Sequence, residues 1–252
     1  MSRKVLITGA SVGIGKSCAQ QFAALGCELI LVARREPLLQ ALKQELEQQF
    51  KIKVHALSCD LSNQAALKKF AQDHSSLLAQ TDVLVNNAGV VKGWAPFYKS
   101  SAKDWQLVFD TNVKAVLFLI QQIVPAMIKR GSGHVINMGS VAGRWNYPND
   151  IVYCASKHAL RTLSENLRSD LTGTGVRVTT VEPGPVKTDL TEVRHNSKAA
   201  AERAFQGWQP LMPEDIAETV VWASTLPENS NAHEIVVFPL AQSAIFMTDK
   251  GT

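Results

Sequence analysis

Tyr153 and Lys157 are the two residues of this chain whose types and spacing point most directly to chemistry. Side chains four residues apart share one face of a helix, so the lysine ammonium can lie beside the phenol. A positive charge there lowers the pKa of the phenol, whose ordinary value is about 10. On a solvated helix face the same pair would do nothing. The spacing therefore predicts a tyrosine that exchanges a proton near neutral pH, with Lys157 lowering its pKa.

A glycine-rich stretch, TGASVGIG at positions 8–15, is the second chemical motif. It follows an apolar run and precedes a helical pattern. Gly9, Gly13 and Gly15 let the backbone approach a phosphate closely, and the helix N-terminus offers unpaired amides and a positive dipole end. This context predicts a pyrophosphate site rather than an ordinary turn.

The end of the next strand bears on which dinucleotide would bind. An acidic residue there would accept a hydrogen bond from the 2'-hydroxyl of NAD, but the chain has Ala33 followed by Arg34 and Arg35. An arginine fork suits a 2'-phosphate, although two arginines after a strand can also be merely solvated. We predict NADP(H).

Short β-branched runs alternate with helix-length segments along the chain. We predict seven strands, at 5–8, 28–33, 54–58, 82–86, 134–138, 176–181 and 235–238. Strands separated by helices imply a doubly wound parallel sheet of α/β class with helices on both faces. In such a sheet, ligands bind outside the carboxyl ends of the strands, where both motifs fall.

Composition limits the alternatives. The 252 residues show no linker composition, so we predict one domain spanning 1–252. The net charge of +4 is spread over scattered Lys and Arg, which argues against a nucleic-acid partner. The strand pattern begins by residue 5, leaving no room for a signal peptide, and no apolar run suggests a membrane partner. Four cysteines without ligand spacing predict no metal and a reducing cytoplasm.

Four further motifs complete a resemblance. They are NNAG at 86–89, Asn112 in DTNV, Ser140 in NMGS, and PGPVKT at 183–188. With TGASVGIG and YCASK, they make the chain resemble the short-chain dehydrogenase/reductase family over essentially its whole length, which implies a Rossmann-type fold. The segments 212–218, 222–227 and 234–242 resemble the branch of NADP-dependent 3-hydroxy acid dehydrogenases, which act on serine, L-allo-threonine and related acids.

The resemblance implies a role for each matching residue. Tyr153 would exchange a proton with the substrate oxygen, Ser140 would hydrogen-bond that oxygen, Lys157 would also hold the nicotinamide ribose, and Asn112 would position a water molecule. The NADP(H)-binding residues would be Gly9, Ser11, Gly13, Ile14, Gly15, Arg34, Arg35, Asp60, Leu61, Asn87, Ala88, Gly89, Tyr153, Lys157, Pro183, Gly184, Val186 and Thr188.

A small hydroxy acid needs a cation for its carboxylate, because a buried unpaired carboxylate is costly. Arg144 and Arg194 are candidates beside Ser140 and Tyr153, although each can equally be a solvated arginine. Arg194 lies in 187–208, a segment that we expect to form a mobile substrate lid.

Two other functions remain open. Trp94, Trp145, Tyr147 and Trp208 could line the pocket of a broad carbonyl reductase for apolar ketones or diketones. The chain could also be an NADPH-binding regulator without turnover, although the four catalytic residues argue against it. Family resemblance and the apolar run 116–120 imply a homotetramer, although that run could equally be core.

Overall fold

The computed structural model describes residues 2–249 except 93, 196 and 246. Seven strands form one parallel sheet in the order β3-β2-β1-β4-β5-β6-β7. They are β1 (Lys4–Thr8), β2 (Glu28–Ala33), β3 (Val54–Ser58), β4 (Val83–Asn86), β5 (Gly133–Met138), β6 (Val176–Pro183) and β7 (Glu234–Val237). The predicted seven-stranded parallel sheet is confirmed. A short antiparallel pair, β8 (Gln242–Ala244) and β9 (Met247–Thr248), was not predicted.

Helices cover both faces of the sheet. They are α1 (Gly13–Ala24), α2 (Glu36–Phe50), α3 (Gln64–Asp73), α4 (Ser75–Leu78), α5 (Ala102–Phe109), α6 (Ala115–Arg130), α7 (Ile151–Asp170), α8 (Asp189–His195), α9 (Lys198–Ala204) and α10 (Pro213–Thr225). One buried cluster joins the sheet to α1, α2 and α10 through side chains such as Phe22 and Leu39. The other joins it to α3, α6 and α7 through side chains such as Ile123 and Leu160. The predicted α/β class is therefore confirmed.

The order of the strands reverses at β1. Strand β1 pairs with β2 on one side and with β4 on the other, and both pairs are parallel. The loops after β1 and β4 therefore diverge to opposite faces and leave a crevice at their carboxyl ends. The glycine-rich stretch and the NNAG motif both lie at this crevice.

One long apolar helical stretch, 102–130, combines α5, a π-helical turn at Asp110–Lys114, and α6. By length and composition it is the one helix among the described residues that could cross a membrane. More than half of its most apolar window is buried inside the protein, where Leu119 and Ile123 pack in the core. Its composition is that of a core helix in this fold.

The segment after β6 leaves the sheet and returns to it. Val186 and Leu211 pair as an isolated parallel bridge, and the Lys187 N–H donates to the Leu211 carbonyl at 2.9 Å. Helices α8 and α9 lie between these two points. The lid predicted at 187–208 falls on this segment, and its movement stays a prediction.

Candidate active site

The glycine-rich turn is held in shape by close backbone approach. Gly9 and Gly13 adopt positive φ angles of 65° and 54°, which suit glycine. A Cβ on Gly15 would lie 2.4 Å from the Gly9 carbonyl oxygen, so no side chain fits there. Val12, which caps α1, offers no side-chain acceptor, so the first amides of the helix are available to an anion. This turn has the form of a phosphate cradle.

The NNAG loop is tied to this turn. The amide of Asn87 and the amide of Ala88 both donate to Thr8 Oγ1, at 3.0 and 2.9 Å. Asn87 Nδ2 donates to the Thr8 carbonyl at 2.8 Å. These contacts fix the two loops as one wall of a cleft.

The cleft has a volume of about 890 Å³. It brings together most of the residues assigned to NADP(H) from the sequence. Those that line it are Gly9, Ser11, Gly13, Ile14, Arg34, Arg35, Asp60, Leu61, Asn87, Ala88, Gly89, Tyr153, Lys157, Pro183, Gly184, Val186 and Thr188. Gly15 is the one that does not line it, and it lies behind Gly9.

The two arginines after β2 lie at one end of this cleft. Arg35 Nη2 donates to Ser11 Oγ at 3.3 Å, so it is joined to the glycine-rich turn. Arg34 is exposed beside it and lines the cleft. The arrangement offers a cationic fork where a ribose 2'-phosphate would lie.

Asn112 lies on the π-helical turn between α5 and α6, in the kind of irregular turn that often occurs at functional sites. Its Oδ1 accepts the Val90 N–H at 2.9 Å. Its Nδ2 donates to the Val90 carbonyl at 3.0 Å and to Ser156 Oγ at 3.1 Å. Asn112 is buried and does not line the cleft, so its contacts tie the loop after β4 to α7 behind the catalytic residues.

Ser140, Tyr153 and Lys157 meet at the cleft wall. Lys157 Nζ donates to the Met138 carbonyl at 2.7 Å and lies 5.6 Å from the Tyr153 ring centroid. Burial lowers the pKa of Lys157 to about 8. Ser140 contributes a hydrogen bond to Tyr153. A substrate oxygen between Ser140 and Tyr153 would meet two hydroxyl groups.

Several groups act on the pKa of Tyr153 in this structure. Burial raises it, and the charge of Arg194 followed by the Ser140 hydrogen bond lowers it. Lys157 also lies beside the ring, with its Nζ 5.6 Å from the ring centroid. The sequence analysis did not foresee the contributions of Arg194 and Ser140, and the lowering by Lys157 stays a prediction.

Arg144 does not line the cleft. Its guanidinium is paired with Glu182 and with Glu234, on β6 and β7. These two carboxylates raise the pKa of Arg144 against the effect of burial. Assigning Arg144 to the substrate carboxylate is wrong for this geometry, since its hydrogen-bond donors are committed to the sheet edge.

Arg194 lies in the cleft, as the sequence suggested. It is on α8, with its guanidinium carbon 5.1 Å from the centroid of the Tyr153 ring. Its Nη2 is 3.0 Å from Oδ2 of Asp150, a residue that the sequence analysis missed. Asp150 directly precedes α7 and resembles an ordinary helix cap, so nothing local indicated a partner on α8.

The four aromatic residues of the rival carbonyl-reductase hypothesis do not form one pocket wall. Tyr147 and Trp208 line the cleft, and Trp94 contacts the Arg194 guanidinium at 5.4 Å. Trp145 instead stacks on Phe238, with ring centroids 5.8 Å apart. Trp94, Tyr147 and Tyr153 therefore lie around the Arg194 guanidinium.

A cluster away from the cleft has metal-like spacing. Ligand atoms of Glu165, His233 and Glu234 lie within 4.8 Å of one another. Arg161 pairs with Glu165 at 2.8 Å and with Glu234 at 2.9 Å. The carboxylates are thus neutralised by arginine, and the cluster has a structural explanation.

The fold and the cleft define a class: a Rossmann-type protein with a phosphate-binding turn and a buried Tyr-Lys pair beside it. The family model described as short chain dehydrogenase matches residues 3–199, and the chain belongs to this family. The predicted enzyme class, a short-chain dehydrogenase/reductase, is confirmed.

Three similar proteins span nearly the whole chain. NADP-dependent 3-hydroxy acid dehydrogenase YdfG of Escherichia coli is 39% identical over 95% of this chain and 96% of its own. Sulfoacetaldehyde reductase 2 of Chromohalobacter salexigens is 38% identical over 99% and 100%. The closed form of serine dehydrogenase complexed with NADP+ has a TM-score of 0.89 and 39% identity, covering 96% of each chain. The names of the first and the third confirm the predicted cofactor, NADP(H), and the predicted branch.

Proposed function

We propose that this protein is an NADP(H)-dependent oxidoreductase that acts on short alcohols or carbonyl compounds carrying an anionic group, and above all on 3-hydroxy acids such as serine or L-allo-threonine. The observation that carries the proposal is the Arg194 guanidinium over the ring of the catalytic tyrosine. The similarity to 3-hydroxy acid and serine dehydrogenases supports it.

The residues of the cleft fit the dinucleotide. Gly9, Gly13 and Gly15 keep the turn after β1 tight and free of side chains, so that a pyrophosphate can lie against the α1 N-terminus, and Arg34 with Arg35 offers charge to a 2'-phosphate. Thr188 and Val186 also line the cleft, and the family resemblance assigns them to the carboxamide. When bound, the nicotinamide supplies or accepts the hydride.

The protein's own residues supply orientation and a proton. Ser140 and Tyr153 together hydrogen-bond the substrate oxygen, and Tyr153 gives its proton to that oxygen during reduction or takes it during oxidation. Arg194 and Ser140 favour the phenolate form of Tyr153. Lys157 places a buried ammonium beside the phenol and the ribose site, and Asn112 fixes the adjoining loop on α7.

Substrate choice follows from charge. In a 3-hydroxy acid, one carbon atom separates the carboxylate from the carbinol carbon. In sulfoacetaldehyde, one carbon atom likewise separates the sulfonate from the aldehyde carbon. Both compounds therefore place an oxyanion at a similar distance from the reacting carbon. One arginine near Tyr153 can bind either group, so short sulfonated aldehydes are a second candidate class, supported by the similarity to sulfoacetaldehyde reductase. Apolar ketones would leave that guanidinium without an anion.

A substrate panel tests this proposal. We expect 3-hydroxybutyrate, serine and L-allo-threonine to exceed their methyl esters in kcat/KM by at least about ten-fold, because a charged hydrogen bond is worth about 1.5 to 3 kcal/mol. Arg194→Ala should reduce that difference. Esters or apolar diketones that outperform the acids would favour the broad carbonyl reductase instead.

We also propose a cytoplasmic homotetramer. All four cysteines are free and buried, as expected in a reducing compartment. Trp105 on α5, Leu117 on α6 and Ile151 on α7 are large apolar side chains that remain exposed. Subunit association would cover them. Cell fractionation tests the location, and light scattering tests the oligomeric state.

A further inference from the structure

Asp150 is a buried acid that the reaction chemistry above does not use. Its side chain has no exposed surface, although the residue lies at the start of the catalytic helix α7. Its Oδ2 is 3.0 Å from Arg194 Nη2. Within the part of the chain that the structure describes, Arg194 is its one cation at salt-bridge distance. A buried carboxylate needs such a partner, so Asp150 favours the position of α8 seen here.

Three aromatic rings lie around the Arg194 guanidinium. Its central carbon lies 5.1 Å from the Tyr153 centroid, 5.4 Å from that of Trp94 and 5.9 Å from that of Tyr147. These rings and the charge of Asp150 beside Nη2 favour the position of the guanidinium over Tyr153.

One donor of the same guanidinium, Nε, is not used by any described residue. Arg194 Nε is buried and has no hydrogen-bond partner among the described residues. Neither carboxylate oxygen of Asp150 accepts a hydrogen bond from a described residue, so the contact with Nη2 is an ion pair. A guanidinium carries five N–H donors in a fixed plane, so it can pair with the charge of Asp150 and still donate to a second oxyanion. Asp150 itself does not line the cleft, whereas Arg194 does. A substrate anion would therefore meet the arginine and not the acid behind it.

We propose that Asp150 is a positioning residue: it holds the Arg194 guanidinium over Tyr153, where the guanidinium can bind the anionic group of the substrate. The inference rests on the proposed function, because it assigns Asp150 to the binding of that same anion. It also ties α8 to α7, so that the arginine reaches the catalytic tyrosine only when α8 lies against the catalytic helix.

Titration of Asp150 gives the proposal a pH signature. Burial raises the pKa of Asp150 to about 6, and the charge of Arg194 opposes that rise. The titratable groups facing it are Arg194 from α8, Tyr147 from the preceding loop, and Tyr153 and Cys154 from α7. Below about pH 6 the acid is neutral and holds the guanidinium less firmly. A substrate carboxylate, with an ordinary pKa of about 4.5 or lower, is still largely charged between about pH 5 and 6.

The test compares Asp150→Asn with the unmodified enzyme, using 3-hydroxybutyrate and methyl 3-hydroxybutyrate as substrates. We expect KM for the acid to rise about ten-fold with kcat changing less than three-fold, and KM for the ester to stay within three-fold. For the unmodified enzyme, kcat/KM for 3-hydroxybutyrate should decline below about pH 6. Asp150→Asn should not show this decline. Glu192→Gln, which removes an exposed charge from the same helix α8, is the matched control and should change neither substrate.

A double-mutant cycle decides whether Asp150 acts through Arg194. Asp150→Asn combined with Arg194→Ala should lose no more than Arg194→Ala alone. Additive losses, or equal losses for acid and ester in Asp150→Asn, would overturn the proposal. If Asp150→Asn does not fold, Asp150→Ser enters the same cycle. An unmodified enzyme that prefers esters would instead refute the proposed function, whatever the variants do.

Discussion

Tyr153 and Lys157 are both buried at the wall of the cleft. At the residue scale, desolvation is therefore the main effect that opposes the charged form of each side chain. Burial raises the pKa of the phenol and lowers the pKa of the ammonium, so it opposes the charged form of each. The site compensates with Ser140, Arg194 and the Met138 carbonyl. The effect of Tyr153 on turnover and the effect of the buried Lys157 on the free energy of unfolding can be measured separately.

We predict that Tyr153→Phe lowers kcat at least about 100-fold while NADPH still binds, because only the proton donor is lost. NADPH oxidation and NADPH fluorescence titration measure the two effects. Tyr98→Phe removes the hydroxyl of an exposed tyrosine and should leave both unchanged. Turnover of Tyr153→Phe within a few-fold of the parent would refute its role, and a parent without NADPH-dependent turnover on any panel substrate would favour the non-catalytic regulator.

We predict that Lys157→Met abolishes turnover but stabilises the unliganded protein. A folded-state pKa of about 8, against 10.5 ordinarily, corresponds to about 3 kcal/mol at pH 7. Losing the hydrogen bond to the Met138 carbonyl destabilises the variant by about 1 kcal/mol, so the net gain in the free energy of unfolding is roughly 2 kcal/mol. Urea unfolding measures it.

The pH dependence of this gain has a defined sign. Below pH 8 both the folded and the unfolded states keep the Lys157 proton, and the full cost of burial is present. Between about pH 8 and 10.5 only the unfolded state keeps it, so the parent gains stability and the advantage of Lys157→Met shrinks. Lys103→Met, at an exposed position, should change stability by less than about 0.5 kcal/mol at all pH values. A destabilised Lys157→Met would contradict this account.

At the scale of elements, each functional group comes from the carboxyl end of a strand or from the helix that follows it. The turn between β1 and α1 supplies the phosphate cradle, and the turn between β2 and α2 supplies Arg34 and Arg35. Parallel strands bring these turns to one edge of the sheet, which is why motifs distant in sequence form one cleft.

We predict that Arg34→Ala raises KM for NADPH by about ten-fold or more and leaves KM for NADH within two-fold. Only the contact to the 2'-phosphate is lost, and a charged hydrogen bond is worth about 1.5 to 3 kcal/mol. Steady-state kinetics with both dinucleotides measures the effect. Arg168→Ala, on the exposed side of α7, is the control. An equal loss with both dinucleotides would assign Arg34 a structural role.

At the scale of the whole molecule, the apolar run 116–120 divides between two environments. Val116, Leu119 and Ile120 are buried in the core, whereas Leu117 is 43% exposed. The run is thus mainly core, as the alternative interpretation held. We expect subunit contacts to cover three exposed apolar side chains: Trp105 on α5, Leu117 on α6 and Ile151 on α7.

We predict a mass of four times the 27.5 kDa chain in light scattering at micromolar concentration. Leu117→Glu should lower that mass, because a charge would be buried against a neighbouring subunit. Leu25→Glu, at an exposed leucine at the end of α1, should leave it unchanged. A monomer mass for the parent would contradict the homotetramer.

The sequence by itself determined the sheet and predicted the side chains that the structure brings together at the cleft. Each of these depends on local constraints: strand runs bounded by turn residues, glycines where a side chain would collide, and a Tyr-Lys spacing set by one helix. The topology of parallel strands then places the motif loops together. Residues such as Gly15 and Lys157 could be recognised because their requirements lie within a few positions of the chain.

Only the tertiary structure decided which charges pair. Arg144 finds Glu182, 38 residues away, and Glu234, 90 residues away, and is thereby removed from the substrate. Arg194 instead meets Asp150 and the ring of Tyr153, and its charge lowers the pKa of that tyrosine, which no local spacing indicated. An ion pair depends on distance in space and on burial, and neither quantity is contained in local sequence spacing.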